Sequence, residues 1–244
     1  DLVNVARYNF PVEISKEALE NVKVSRQIVD DIVEAEQISY GITTGFGKFS
    51  DVAISKEECR QLQKNLIMSH SCGVGNPLSE EIVRAMMLLR ANALSKGYSG
   101  IRCETLDVLI SMLNKGVHPI VPEKGSLGSS GDLAPLSHMV LTMLGLGEVI
   151  YKGVKMESKD AMEKAGIKPL EYLGAKEGLA LINGTQCMTA VGAITIYDAM
   201  NLMKTADISL CLTMEALNGI TCAMDERVNL VRPHKGQFNT AKNV

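Results

Sequence analysis

The stretch "TQCMTAVGAITIYDAMNLMKTADISLCLTMEAL", Thr185 to Leu217, is a nearly continuous run of residues that form helices. Ala, Met and Leu favour a helix, and no proline interrupts the run. The predicted helix is longer than most helices of globular proteins. Because apolar residues occur around much of its circumference, it needs partners on more than one face. The stretch therefore predicts a mainly α fold in which this helix is packed on several sides.

Three further helices are indicated by end signals or by periodicity. The sequence from Ser55 to Glu58 has the form of a capping box, and a second helix follows Ser79 and is closed by Gly97. A third helix, closed by Gly116, has apolar residues at i, i+3, i+4 and i+7: Leu106, Leu109, Ile110 and Leu113. The exception is "GEVIYKGVKM", residues 147–156, which predicts a small β-hairpin inserted at the surface.

Composition excludes several classes of function. The 244 residues are 46% hydrophobic and carry a formal net charge of -3, without a block of Lys or Arg, so a nucleic acid is not an expected partner. Charged residues interrupt the apolar runs before the roughly 20 residues of a membrane span. The six cysteines have no C-x-x-C spacing, and there are only four histidines. We expect a soluble, untargeted protein of the reducing cytoplasm, without a membrane anchor or a metal site.

The segment "KGSLGSSGDLAPLSHM", Lys124 to Met139, is unusual in a helical protein because it is rich in Gly and Ser. Its glycine spacing fits neither a dinucleotide fingerprint nor a phosphate loop. One interpretation is a flexible turn in which Asp132 caps the next helix and Pro135 lies in its first turn. A second interpretation is chemical. The unhindered amide nitrogen of Gly131 could attack the carbonyl carbon of Ser129, and loss of two waters would leave a methylidene electrophile at Ser130.

This block, together with "SYGITTGFGKFSD", "NLIMSHSCGVGNPL", "RANALSKGYSGIR" and "KEGLALINGTQ", resembles the aromatic amino acid ammonia-lyases, and among them most closely the members that act on histidine. The resemblance covers essentially the whole chain, with five blocks in the same order. It implies the N-terminal part of the long helical bundle of the ammonia-lyase and fumarase type. Residues 1–184 would form a helical domain that carries the reactive loops. Residues 185–244 would begin the central bundle, without a clear linker between the two parts.

The resemblance also implies a prosthetic group, 4-methylidene-imidazol-5-one, formed from Ser129, Ser130 and Gly131, with no external cofactor. The family triad usually begins with Ala, and Ser129 departs from it without preventing ring closure. Asp132 resembles the residue that assists cyclisation. Tyr40 resembles the catalytic tyrosine that removes the β-proton of the substrate. The alternative for Tyr40 is a tyrosine that anchors a glycine-rich loop.

Two further positions resemble residues that bind substrate. His70 resembles the histidine that contacts the substrate side chain, since one imidazole can recognise another by donating and accepting hydrogen bonds. Asn183 resembles an amide near the prosthetic group and the substrate carboxylate. The alternatives are a core histidine bonded to backbone at a helix end, and an Asn-Gly turn. His138 is expected to be a packing or hydrogen-bonding residue.

The implied reaction is the non-oxidative removal of ammonia from L-histidine to give trans-urocanate. Two alternatives stay open: a tyrosine or phenylalanine ammonia-lyase or aminomutase of the same superfamily, and an inactive fragment. Because family members continue for a comparable stretch beyond the last residue of this sequence, the chain resembles an N-terminal half. We expect it to assemble as a homo-oligomer, such as a homotetramer, or with a chain that supplies the C-terminal half.

Overall fold

The computed structural model describes residues 1–45, 56–127 and 131–244. The fold is mainly α, as predicted. Its helices are α1 (Leu2–Tyr8), α2 (Lys16–Glu34), α3 (Lys56–His70), α4 (Glu80–Leu94), α5 (Cys103–Lys115), α6 (Leu133–Met143), α7 (Ser158–Lys164), α8 (Glu177–Ile182), α9 (Gln186–Ala216), α10 (Glu226–Leu230) and α11 (Lys235–Asn243). A short 3-10 turn, Thr221–Met224, precedes α10.

Two small antiparallel sheets accompany the helices. The first pairs β1 (Val74–Pro77) with β3 (Pro122–Lys124). The second has the strand order β2-β4-β5. Its strands are β2 (Val117–Pro119), β4 (Glu148–Tyr151) and β5 (Val154–Glu157).

The predicted hairpin is confirmed, but the prediction that it is a surface insertion is wrong. Lys152 and Gly153 form its turn with φ of 52° and 77°, the left-handed region that two-residue hairpin turns require. Strand β4 also pairs with β2, with His118 opposite Ile150. Val149 is fully buried. The hairpin therefore completes a three-stranded sheet whose inner face belongs to the core.

The other predicted helices have the expected positions. Gly116 ends α5 with φ of 71°, and its N–H bonds to the carbonyl oxygen of Met112. Ser79 lies at the N-terminus of α4 in an extended conformation, without a hydrogen bond from its side chain to the helix. Gly97 follows α4 with φ of 77°, and a Cβ there would lie 2.7 Å from the backbone of Asn21. The capping box at Ser55 lies outside the described residues.

The core of the first part of the chain is formed where α4, α5 and α6 present their apolar faces. Helix α4 packs on α1 and α5, while α3, α6 and α8 contact one another. Their buried residues include Met86, Met87, Leu109, Met112, Leu136 and Met139. Because α6 and α8 belong to this core, the residues that flank them have a rigid support.

The helix predicted from Thr185 to Leu217 is confirmed as α9, Gln186–Ala216. The chain divides into two compact units, Asp1–Val191 and Gly192–Val244, and the boundary falls within this helix. Many apolar side chains of α9 are exposed, among them Ile196 (63%), Met200 (59%) and Met203 (63%). The expected domains, residues 1–184 and 185–244, stay a prediction.

By length and composition alone, the helical segment Glu177–Ala216 is sufficient to cross a membrane, with a mean hydropathy of 1.4 in its most apolar window. We expected charged residues to interrupt every apolar run before the length of a membrane span. By length and mean hydropathy, this segment does not meet that expectation. A helix buried in a bundle meets the same criterion. The absence of a membrane anchor therefore stays a prediction.

Candidate active site

The carboxylate of Asp132 is buried at the point where the Gly- and Ser-rich loop enters α6. Its Oδ1 atom accepts a hydrogen bond from the hydroxyl of Ser126 at 2.9 Å, and its Oδ2 atom accepts the N–H of Met188 at 2.8 Å. Asp132 is only 2% exposed. The backbone of Asp132 precedes α6, but its side chain makes no capping bond to that helix. Of the two interpretations of this segment, the one in which the Asp132 side chain caps α6 is therefore wrong, because its carboxylate bonds to the first turn of α9 instead.

Gly131 packs directly against the backbone of Gly184. A Cβ on Gly131 would lie only 2.7 Å from the carbonyl carbon of Gly184 and still closer to its oxygen. Gly131 has a φ of 121°, which residues with a side chain rarely adopt. The next amide, that of Asp132, donates to the same carbonyl oxygen at 2.6 Å. No residue larger than glycine fits at position 131 without a shift of the backbone.

Arg90 of α4 holds the turn that contains Gly184. Its guanidinium donates to the side-chain oxygen of Gln186 at 2.8 Å and to the carbonyl oxygen of Ala180. The turn is thus bonded on both sides, at the last residues of α8 and at the first residue of α9. The start of α8 is also fixed, because the buried carboxylate of Glu177 accepts hydrogen bonds from Arg102 and from the N–H of Gly174.

Asn183 lies in this turn, immediately before Gly184. Its backbone N–H bonds to Leu179 at 2.9 Å and ends α8. Asn183 is exposed. Its backbone is extended, with φ of -84° and ψ of 95°. The structure thus brings Asn183 next to Gly131 and Asp132, with its amide accessible to a ligand.

His70 is the last residue of α3. Its Nδ1 atom lies 2.9 Å from the carbonyl oxygen of Leu66 and 3.1 Å from the hydroxyl of Ser69. A bond to a carbonyl requires a proton on Nδ1, so in the neutral ring Nε2 is an acceptor. Within the described parts of the chain, Nε2 has no hydrogen-bond partner. The backbone contact expected of a core histidine is present, and one ring nitrogen stays available for a ligand.

The loop after His70 packs on the residues that flank the Gly- and Ser-rich segment. The N–H of Gly73 donates to Nε2 of His138 on α6 at 3.0 Å. The Cβ position of Gly125 lies 2.9 Å from the Cα atom of Gly73. His138 is a hydrogen-bonding residue, as expected, and burial lowers its pKa. The neutral ring that the Gly73 bond requires is therefore favoured.

Tyr40 lies on a separate loop after α2. The backbone of this loop is held by bonds from Ile42 and Thr43 to the carbonyl oxygen of Ser39, at 3.1 and 3.0 Å. The Cys59 thiol of α3 bonds to Ile42 at 3.4 Å. Tyr40 itself is 58% exposed, so its phenol is accessible. Through Ile42, this loop contacts Val29 of α2 and Cys59 of α3.

Ser129 and Ser130, the first two residues of the expected triad, lie outside the described residues. Among the described residues nearby, Cys187 lies close to Asp132. Burial, and secondarily the charge of Asp132, raises the pKa of the Cys187 thiol to about 11. Cys187 therefore stays protonated at neutral pH and is not a nucleophile there.

The sequence profile of the family described as aromatic amino acid lyase matches residues 1–244, the whole chain. The chain belongs to this family. It is 63% identical over 244 residues to the histidine ammonia-lyase of Alkaliphilus oremlandii, of which it covers 48%. The chain spans about half the length of the curated relatives that it matches.

Several solved enzyme structures have the same fold over this part of the chain. The histidine ammonia-lyase of Trypanosoma cruzi superposes with a TM-score of 0.91 at 40% identity, over 99% of this chain and 46% of that one. The ergothioneine-degrading ergothionase of Treponema denticola gives a TM-score of 0.92 at 37% identity, over 100% of this chain and 48% of that one. Since these two enzymes have differently named substrates, the fold alone does not determine the substrate.

Four residues of the candidate site were not found by sequence reasoning: Ser126, Arg90, Gly184 and Gln186. Gly184 could have been noticed as the partner of Asn183 in "NGTQ". Arg90 had a weaker signal, an arginine within the apolar stretch "AMMLLRANAL". An arginine in such a run must be buried or reach past the apolar face. Nothing in the sequence indicates its partners, which lie in other segments.

Proposed function

We propose that this chain is the N-terminal, prosthetic-group-bearing part of an enzyme that removes ammonia from L-histidine to give trans-urocanate. One observation carries the proposal: Gly131 lies against Gly184 where no side chain fits, directly after Ser129 and Ser130 and directly before the buried Asp132. The missing side chain leaves the nitrogen of Gly131 unhindered, as attack on the carbonyl carbon of Ser129 requires. The identity of 63% to a histidine ammonia-lyase supports the choice of reaction.

The proposed group is 4-methylidene-imidazol-5-one, made from Ser129, Ser130 and Gly131. Ring closure bonds the nitrogen of Gly131 to the carbonyl carbon of Ser129. The first water is formed from the carbonyl oxygen of Ser129 and the amide hydrogens of Ser130 and Gly131. The second water is formed from the hydroxyl group and the α-hydrogen of Ser130. The residues present fit this group, because Gly131 has no side chain to hinder its nitrogen and Asp132 is fixed by backbone and side-chain bonds.

The electrophile would improve the departure of the substrate amine, which is otherwise a poor leaving group. Residues of the chain would do the rest. Tyr40 would remove the β-proton, and its exposed phenol supports access by a substrate. Asn183 would donate to the substrate carboxylate without adding charge. Helix α6, which follows Asp132, would favour negative charge at its N-terminus.

His70 would select the substrate. Since Nδ1 is bonded to Leu66, the ring would accept a hydrogen bond at Nε2 from the N–H of a substrate imidazole. Phenylalanine has no group to donate this bond, which favours histidine over phenylalanine. This role rests on the available nitrogen and on the named relatives.

We also propose that the chain works in an assembly, as a homo-oligomer or with a second chain. The exposed apolar residues of α9 support this proposal. A helix with apolar side chains on several faces is stabilised when other helices cover them. The cytoplasm is the proposed compartment. All six cysteines are free thiols, as in reducing surroundings.

The test is to measure urocanate formation by the native protein, together with whatever sequence or companion chain completes it. Histidine, tyrosine, phenylalanine and ergothioneine are compared as substrates. The intact mass is measured on the same sample, since formation of the group removes two waters. Turnover of histidine with loss of two waters is expected. A chain of unmodified mass, or a preference for another substrate, would reject the proposal.

A further inference from the structure

Arg90 is a buried cation next to the proposed prosthetic group. The residue is 5% exposed, and burial lowers the pKa of its guanidinium to about 10. It is therefore still charged at neutral pH. In the described ranges, no carboxylate lies within ion-pairing distance of Arg90, and its Nε atom has no hydrogen-bond partner. A buried charge that is compensated only by neutral acceptors is unfavourable for stability and calls for an explanation.

Its two hydrogen bonds go to the two ends of one short turn. The first acceptor is the carbonyl oxygen of Ala180 in α8, and the second is the side-chain oxygen of Gln186 in α9. Gly184 lies between them. A Cβ on Gly184 would collide with both the Arg90 guanidinium and the side chain of Gln186. The guanidinium therefore contacts the backbone of Gly184, and the carbonyl oxygen of Gly184 faces Gly131.

Arg84 provides an internal comparison because it is also a buried arginine of α4, at 2% exposure. Its guanidinium bonds to the carbonyl oxygens of Val5 and Leu113 and lies 3.1 Å from Nε2 of His118. These contacts tie α1 and α5 to α4. Arg84 therefore stabilises the core, whereas Arg90 bonds only to the turn behind the triad.

We propose that Arg90 is a positioning residue for formation of the prosthetic group: it fixes Gly184, and through Gly184 it fixes Gly131 and Asp132. The inference rests on the proposed function, since it concerns the same tripeptide. Two contacts transmit the effect from Gly184. They are the backbone packing on Gly131 and the 2.6 Å bond from the N–H of Asp132.

The physical reason is that ring closure joins two backbone atoms that ordinarily do not react. The nitrogen of Gly131 is a weak nucleophile, so the rate depends on how closely and how often it meets the carbonyl carbon of Ser129. Positioning errors of about 1 Å can reduce rates about 10²-fold. A turn held by a guanidinium at both ends is a rigid surface, and without Arg90 the carbonyl oxygen of Gly184 would move relative to Gly131.

The test uses Arg90→Lys in the native protein, with Arg84→Lys as the matched control. A lysine retains the charge but cannot reach two acceptors with the geometry of a guanidinium. We expect Arg90→Lys to slow the loss of two waters, followed by intact mass and near-ultraviolet absorbance after synthesis, by up to about 10²-fold. Arg84→Lys should lower thermal stability at least as much, yet leave the loss of water unchanged.

A second pair of variants applies if Arg90→Lys does not fold. Gln186→Leu removes one acceptor of Arg90 and leaves the cation in place. Gln186→Glu retains an acceptor and should recover most of the rate that Gln186→Leu loses. Slow dehydration in Gln186→Leu and recovery in Gln186→Glu would support the role of Arg90.

The outcomes separate this inference from the proposed function. A wild-type chain without loss of water would reject the proposed function, and this inference with it. A dehydrated wild type with equally fast dehydration in Arg90→Lys and Gln186→Leu would reject only the role of Arg90. Equal slowing in Arg84→Lys would also reject it, because the effect would then follow from general stability.

Discussion

The Oδ2 atom of Asp132 accepts the backbone N–H of Met188 at 2.8 Å, so the carboxylate that ends the triad loop is bonded to the first turn of α9. Unpaired N–H groups and the helix dipole make a helix N-terminus favourable for a negative charge. The second oxygen of Asp132 bonds to Ser126, on the other side of the triad. One buried side chain thereby joins both ends of the Gly- and Ser-rich loop to a long helix.

Replacement of this carboxylate should affect both stability and chemistry. In Asp132→Asn the amide oxygen can still accept the Met188 N–H and the amide nitrogen can donate to the Ser126 hydroxyl, but the negative charge at the start of α9 is lost. A negative charge at a helix N-terminus typically stabilises the folded state by about 0.3 to 1 kcal/mol, and by up to about 2 kcal/mol where it is partly buried. We expect that loss in thermal or denaturant unfolding, together with slower loss of water in the intact mass. Asp225→Asn is the control, since Asp225 bonds to the N–H of Arg227 at an exposed helix start, and it should change stability less.

The two serines of the triad should respond differently. Since Ser130 would supply the methylidene carbon, Ser130→Ala should abolish the near-ultraviolet absorbance of the group and reduce turnover by orders of magnitude. Ser129 contributes only a ring carbon and its own side chain, so Ser129→Ala should leave most activity. Absorbance spectra and steady-state rates of the two variants decide the matter. Equal losses in both would indicate a purely structural loop.

His70 should control specificity more than stability. In His70→Phe the substrate imidazole loses its acceptor, and a polar group without a partner typically costs about 1 to 3 kcal/mol in the specificity constant. The constant is measured for histidine, tyrosine and phenylalanine, with the thermal midpoint recorded beside it. If the loss for histidine only follows the loss of stability, His70 is a core residue and the substrate assignment loses its support.

His138 should make stability dependent on pH. Burial lowers the pKa of this ring below its ordinary value of 6.5, so the unfolded chain binds the proton first. Its contribution to stability is then present above pH 6.5 and is lost as the pH falls. His138→Gln keeps an acceptor for Gly73 but does not titrate. Burial also lowers the pKa of His118, but this residue titrates in both the wild type and His138→Gln. The difference between the denaturant midpoints of the two proteins, followed as the pH falls below 6.5, therefore reports on His138 alone. Parallel pH profiles would contradict the prediction.

Assembly should depend on the exposed apolar side chains of α9. A charge at Met200, which is 59% exposed, would oppose burial of that face, so Met200→Asp should dissociate the assembly in sedimentation experiments. Val154→Asp is a control of similar exposure, 57%, on the hairpin, and should leave assembly intact. A wild-type protein that is monomeric at micromolar concentration would refute the prediction directly.

The sequence predicted those elements whose signals are local. The long helix α9, the end of α5 at Gly116 and the hairpin turn at Lys152 follow from composition, periodicity and turn chemistry over a few residues. Strands β1 and β3 gave no such signal, since each is very short and contains proline. They exist because tertiary contacts bring them together.

The same distinction holds for the candidate site. Motif resemblance indicated Gly131, Asp132 and Asn183, and the structure brings these three together around Gly184. The bond from Arg90 to Ala180 joins residues 90 positions apart in the chain, and that from Asp132 to Met188 spans 56. No pattern of spacing encodes such pairs. The alternative interpretation, in which Asp132 caps α6, followed from a local rule, whereas the hydrogen-bond partner of this side chain is distant in sequence.

The contact between Gly131 and Gly184 restricts which residues can be substituted at these two positions. A side chain at either position would need space that the other backbone, or Arg90, already occupies. Neither change can compensate for the other, since no residue is smaller than glycine. In a library with both codons randomised and selected for growth on histidine as the nitrogen source, the survivors should be almost uniformly the parental pair. Directed evolution toward new amino acid substrates should therefore leave both codons fixed and vary the surroundings of His70 instead.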